Sequence, residues 1–431
     1  MARRDKPWYP LDNAGTLYSS IQKERYSAIY RFSAWLTEEV DPEALQRAID
    51  RTLPRFPSFA VRIRRGVFWY YLEPNDAPGP FVKEDVADPC QPVRFKEDNG
   101  WLVRFYYYRR RISIEVFHAL SDGTGGLIFF RTLLGVYFRE LGHDIPNGNG
   151  VLDVDEPPRK EEREDAYLRY AGPVARAPHL MKKAYQNLGE PEPFYTFHVT
   201  MGFVPVDKVK ARAKAMGVSI TEYLAAILMR TLLEKQRRED PHKPLPIALS
   251  VPVDLRAFFP SQTVRNFIQT VQPVIDPNLG EWTLEEIAQR IHHYMRLNVT
   301  AKELQSVFTR NVRYQHNRAL RTMPRPLKDP VVSMNYRNRG VKPYSAVFTN
   351  PGLFKVPPEM APLIDHMEVV LGQATVARPH VSSISYGNTM EITFAGTQKD
   401  AETEREFFRA LIREGIPVKI ESNRPQAGRG D

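Results

Sequence analysis

The stretch RISIEVFHALSDGTGGLIFFRTLLGVYF, Arg111 to Phe138, constrains the fold more than any other part of the chain. Ile112, Ile114 and Val116 alternate with Ser113, Glu115 and Phe117, the two-residue period of a strand. One further step of that alternation puts His118, as the strand's last residue, on the side of the three aliphatic residues. Ser121-Asp122-Gly123-Thr124-Gly125-Gly126 is too rich in glycine to extend the strand and suits a sharp turn. Leu127 to Phe138 is apolar on nearly every side, which predicts a buried helix. Strand, tight polar loop and helix leave an imidazole at a strand end, a carboxylate four residues on, and glycines that let a substrate come close.

The rest of the chain supplies the remaining layers. Ala28 to Leu36 reads as a strand, and Asp41-Pro42-Glu43 as a helix start with aspartate as N-cap and proline in the first turn. Phe59–Arg64 and Val67–Leu72 form a predicted hairpin across Arg65-Gly66, and Trp101–Tyr108 is the expected antiparallel neighbour of the strand that delivers His118. Capping boxes are expected at Ser219/Glu222 and Thr283/Glu286, the second opening a mainly helical run to about His316. Further strands are expected at 247–253, 266–275, 344–349 and 368–371, then a hairpin, 381–386 with 390–394, and a last helix capped by Asp400. Prolines punctuate a charged, weakly periodic segment between Asp144 and Glu192, the natural place for a boundary. The expected division is an N-terminal lobe, 1–150, a crossover, 151–193, and a C-terminal lobe, 194–431.

Composition excludes several classes. One cysteine, Cys90, permits neither an internal disulfide nor a cysteine zinc site and fits a reducing compartment. The basic residues at the N-terminus are not followed by an apolar run, and no stretch is long enough to span a bilayer, so the expected location is cytoplasmic. The net charge of +9 comes without a nucleic-acid-binding motif, so nucleic acid is not an expected partner; the charge reads first as a solvated basic surface, and a ligand carrying several phosphates is its best specific reading. No third ligand accompanies His118 and Asp122, so no metal site is expected, and no G-x-S-x-G elbow supports a serine hydrolase.

His118-Ala119-Leu120-Ser121-Asp122-Gly123 matches the H-x-x-x-D-G signature of the chloramphenicol acetyltransferase-like superfamily. That group includes alcohol O-acetyltransferases, polyketide-associated acyltransferases, plant acyl-CoA transferases and the condensation domains of peptide synthetases. Many of its members carry two consecutive histidines; here Phe117 precedes His118. Residues 7–20 resemble the Pro-Leu-Asp opening of bacterial alcohol acetyltransferase-like proteins. Ser250–Arg256 with Arg265-Asn266-Phe267 resembles the superfamily's Pro-Val-x-x-Arg strand and Asn-Phe loop. Phe348–Gly352 resembles its Ser-Asn-x-Gly strand end, with threonine and proline departing from it.

The resemblance implies two α/β lobes, mixed sheets flanked by helices, and an active-site channel between the lobes. It implies acyl-CoA-dependent O-acyl transfer, an acetyl group to a small alcohol, with His118 as general base. Asp122 would then be structural, pairing with Arg256 (or, as second choice, Arg55), and Gly123 would allow a close backbone approach. Asn266, Asn350 and Ser250 are candidates for the oxyanion or channel. No permanently bound cofactor is expected; acetyl-CoA or another acyl-CoA would be a co-substrate, its phosphates near Arg337 and Arg339, with Arg265 and Lys342 as further cations. The alternatives are an amide-forming condensation enzyme with a carrier-protein donor and a non-catalytic member of the fold.

Overall fold

The computed structural model describes residues 8–21, 26–85, 88–95, 98–175, 183–187, 189–193, 196–242, 244–336, 338, 342–372 and 379–424. Arg337 and Arg339 lie outside the described residues. Three sheets occur among them. A five-stranded sheet runs 364–371, 29–36, 111–117, 103–108, 82–84, and an eight-stranded mixed sheet is built from strands between His198 and Ser422. The hairpin 61–65 with 70–74 carries the short strand Tyr9–Pro10 on its edge.

The His118 strand, Arg111–Phe117, sits inside the first sheet and is buried on both faces. Ile112, Ile114 and Val116 enter the first hydrophobic core together with Phe129, Phe130 and Leu133 of the helix Gly123–Glu140. The opposite face carries a buried polar network: Arg31 donates to Glu115 (3.1 Å) and Ser113 (2.8 Å) and pairs with Asp85. Burial would lower the Arg31 pKa, but Glu115 and Asp85 more than offset it and hold it up, while the guanidinium neutralises carboxylates that would otherwise be costly to bury.

The helix begins earlier than its apolar run suggests. Asp122 is its N-cap, in extended backbone conformation, and accepts from the Gly125 N–H at 3.0 Å. The glycine-rich segment is therefore the first helical turn and not a separate loop. Both capping boxes form, at Ser219/Glu222 and at Thr283/Glu286. The helical run after Trp282 is broken into Leu284–Asn298 and Ala301–Gln315. The strand expected over 266–275 is two short pieces, Ile268–Val271 and Val274–Ile275, both paired with Ile247–Asp254. Asp400 accepts from the Glu402 N–H at 2.9 Å, but Ala401 holds the cap position of the last helix.

Four α-helices were not foreseen, Asn13–Ile21, Ala166–Tyr170, Arg318–Thr322 and Arg325–Tyr336. The strand Ile364–Leu371, from the second half of the sequence, pairs antiparallel with Ile29–Leu36 and completes the first half's sheet. No single helix among the described residues is long and apolar enough to cross a membrane.

Candidate active site

His118 follows directly on its strand, and its N–H still donates to Ala28 O at 2.8 Å, so the ladder fixes its backbone. Its ring stacks on Tyr18 (centroids 4.3 Å apart, planes at 21°) and meets Tyr30 edge-on at 5.2 Å. Nδ1 lies 3.1 Å from Asn266 Oδ1. The Asn266 amide cannot be turned round without loss. Its Nδ2 donates to His118 O at 3.0 Å and faces both Asp12 carboxylate oxygens at 3.3 Å, and these groups only accept when Asp12 is ionised. Oδ1 therefore faces the ring, Nδ1 must carry the hydrogen, and Nε2 is left with its lone pair. Burial lowers the His118 pKa from 6.5, opposed by the charge of Asp122 and the bond to Asn266. The ring is neutral and basic at physiological pH.

Asp12 is the aspartate of the Pro-Leu-Asp stretch. It is fully buried, accepts from the Gly15 N–H at 2.7 Å at the start of the Asn13–Ile21 helix, and lies 3.5 Å from Arg265 Nε. Burial pushes its pKa up to about 6, against the pull of Arg265 and with the help of nearby Asp165. An aspartate directly before a run of small residues carries the N-cap signal that could have flagged it. Arg265, offered above as a donor-binding cation, is consumed here: it also donates to Pro10 O at 2.9 Å.

Asp122 is 0% exposed and takes a bidentate pair from Arg256, at 2.9 and 3.3 Å. Its carboxylate also accepts from the Phe267 N–H at 2.7 Å. Ser121 Oγ donates to Val264 O (2.6 Å) and Thr124 Oγ1 to Asp254 (2.8 Å), so this segment ties the two halves of the chain together. Arg55 is elsewhere, paired with Glu162 at 2.7 Å. Gly123 is not where the backbone comes close: a Cβ there would meet nothing nearer than 3.9 Å. The close approaches are at Gly125, where a Cβ would fall 2.0 Å from Val264 O, and at Gly126, against the Tyr30 ring.

A cavity of about 990 Å³ opens on His118. Tyr18, Tyr26, Ser250, Tyr344 and Thr349 are among its lining residues, drawn from both halves of the chain. Arg310, Arg321, Arg325 and Lys328 add a cationic wall. Of the three oxyanion candidates, Ser250 alone lines the cavity. Asn266 has its amide donors committed, as above. Asn350 is turned away, donating to Thr221 Oγ1 (3.1 Å) and accepting from the Gly352 N–H (2.9 Å) where the strand register shifts. Lys342 is exposed and does not line the cavity.

No protein-family model matches this sequence, and no curated protein does. Solved structures do. Polyketide synthase associated protein 5 from Mycobacterium tuberculosis superposes with a TM-score of 0.64 at 17% identity, over 93% of this chain and 96% of that one. TRI3 trichothecene 15-O-acetyltransferase from Fusarium sporotrichioides gives 0.60 at 11% identity, over 94% of each chain. The starter condensation domain of rhizomide synthetase, in complex with C8-CoA and Leu-SNAC, gives 0.59 at 12%, over 94% and 93%. At these identities the likeness establishes architecture, and it does so over nearly the whole length. The chain has the two-lobed fold of the chloramphenicol acetyltransferase-like and condensation-domain superfamily.

Proposed function

We propose that the protein is an acyltransferase that moves an acyl group from a thioester, acyl-CoA, to an alcohol. The observation that carries this reading is the bond between His118 Nδ1 and Asn266 Oδ1, because it leaves Nε2 as an unprotonated base in a cavity built by both lobes. In the proposed reaction Nε2 takes the proton of the acceptor hydroxyl as its oxygen attacks the acyl carbonyl carbon. The tetrahedral intermediate collapses, the carbon–sulfur bond breaks, and Nε2–H returns the proton to the leaving thiolate. No group on the protein becomes acylated.

Asp122 would take no proton in this scheme. Its four donors already fix its place, and it holds the His118 loop to Arg256 across the lobe junction. Ser250 is the proposed oxyanion donor, being a hydroxyl in the cavity wall. The basic wall of Arg310, Arg325 and Lys328 supports a donor carrying phosphates, and Arg337 and Arg339 remain proposed additions to it. Acetyl is the proposed acyl group.

The test is incubation with acetyl-CoA and panels of alcohols and amines, following free thiol. His118→Ala should fold normally and lose about 10²–10⁴-fold in kcat, as for removal of a general base. Wild-type turnover by a folded His118→Ala protein would refute the assignment. Thiol release with amines and not alcohols would replace ester formation by amide formation.

A further inference from the structure

The outward side of the Arg325–Tyr336 helix carries no charge. Its exposed residues are Pro326, Leu327, Pro330, Val331 and Met334, a single stripe at helical spacing. Leu327 is 65% and Met334 62% exposed. The inward side of the same helix, with Arg325, Lys328, Val332 and Asn335, is cavity wall, so the stripe lies on the cavity's rim.

The start of the helix meets the turn of a neighbouring hairpin. The Arg325 N–H donates to Val67 O at 3.0 Å, and Lys328 Nζ sits 4.6 Å over the Trp69 ring. Val67, Phe68 and Trp69 are all exposed large apolar side chains. Exposed cations fringe this surface: Arg65, Arg318, and Arg321 at 5.4 Å over Trp69. From Arg318 to Asp329 there are four basic residues and one acid, and that acid accepts from the Tyr70 hydroxyl at 3.2 Å.

Exposed apolar surface of this kind marks an interaction site, and its composition selects the partner. The stripe offers no side-chain donor or acceptor with which a protein partner could make directional contacts. A bilayer needs none. It takes aliphatic side chains and tryptophan at the headgroup level, with cations on the lipid phosphates. We propose that this rim docks on an anionic membrane surface, seating the mouth of the cavity against the lipid. Docking does not depend on the chemistry at His118. If the acyl-transfer reading holds, a lipophilic substrate would enter from the bilayer without crossing water.

Co-sedimentation of the full chain with vesicles tests this. Vesicles of phosphatidylcholine and phosphatidylglycerol (about 7:3) should carry the protein down, phosphatidylcholine alone far less, and high salt should weaken the binding. The variant Leu327→Asp/Val331→Asp/Met334→Asp changes only exposed residues outside the cavity wall. It should fold, with an unchanged circular dichroism spectrum and thermal midpoint, and partition at least tenfold more weakly. Failure of the wild-type chain to bind anionic vesicles would overturn the proposal, as would equal binding by the triple variant. Sedimentation equilibrium covers the other occupant: a dimer dissociated by the triple variant, with no vesicle binding, would make the face a contact between copies and refute membrane docking.

Discussion

Asp12 sits where stability and chemistry are set against each other, and replacing it with asparagine separates the two. Its pKa rises from the ordinary 3.8 to about 6 in the folded chain. The folded state thus holds this proton more tightly than the unfolded state, so the associated stability is full below pH 3.8 and is lost as pH rises through about 6. At 1.36 kcal/mol per unit, the ionised carboxylate costs the fold about 3 kcal/mol at pH 8. Asparagine mimics the neutral form, but its amide opposes one donor of Asn266, costing about 1 kcal/mol. The variant should gain about 1–3 kcal/mol at pH 8. At about 2.1 cal/mol/K per residue of unfolding entropy, the midpoint of a chain this long rises by roughly 1–3 °C. The gain should shrink as pH falls toward 4. Activity should move the other way, because Asn266 is no longer pinned and His118 loses its orientation: about 10–100-fold in kcat with KM little changed, since Asp12 is not in the cavity wall. Calorimetry across pH and steady-state kinetics check both arms. A variant destabilised equally at pH 4 and pH 8, or one with full kcat, would refute the reasoning.

Other outcomes follow from the same geometry. Asp122→Ala and Arg256→Ala should each cost about 3–5 kcal/mol, and the double variant less than their sum by at least about 1 kcal/mol in a denaturant cycle. Gly125→Ala must move the Val264 carbonyl and should lower stability by about 1–3 kcal/mol, whereas Gly123→Ala, with open space around it, should be nearly neutral in the same melts. The acid limb of kcat/KM should lie below pH 6.5, because burial lowers the His118 pKa and a base works only when deprotonated; a midpoint above 6.5 would count against the assignment.

What the sequence revealed was local or motif-borne. The alternation of Ile112, Ile114 and Val116 placed the strand and His118, and the Ser-x-x-Glu and Thr-x-x-Glu pairs placed two helix starts. Arg256 was reached through a motif, and it does meet Asp122. What stayed hidden depends on contacts across the chain. Asp12 looks like any turn aspartate until Asn266, more than two hundred residues on, arrives beside it. Gly123 and Gly125 are indistinguishable until the Val264 carbonyl comes within reach of one of them. Pro326 and Pro330 obscure the Arg325–Tyr336 helix in the sequence, although a proline near a helix start loses little and Pro330 is carried in the second turn.

The strand Ile364–Leu371 gives the order of synthesis a consequence for the young protein. A ribosome releases Ile29–Leu36 early, yet the strand that covers its free edge comes more than three hundred residues later. Through most of translation the first lobe must wait with an open edge of alternating apolar residues, the kind of surface that recruits other nascent chains. Separate expression of residues 1–150 would leave that edge permanently bare, and a stop codon before residue 364 would do the same to a nearly full-length product. The lobes are therefore not modules that could be exchanged between relatives at the proline-rich crossover, since the first is finished only by a piece of the second.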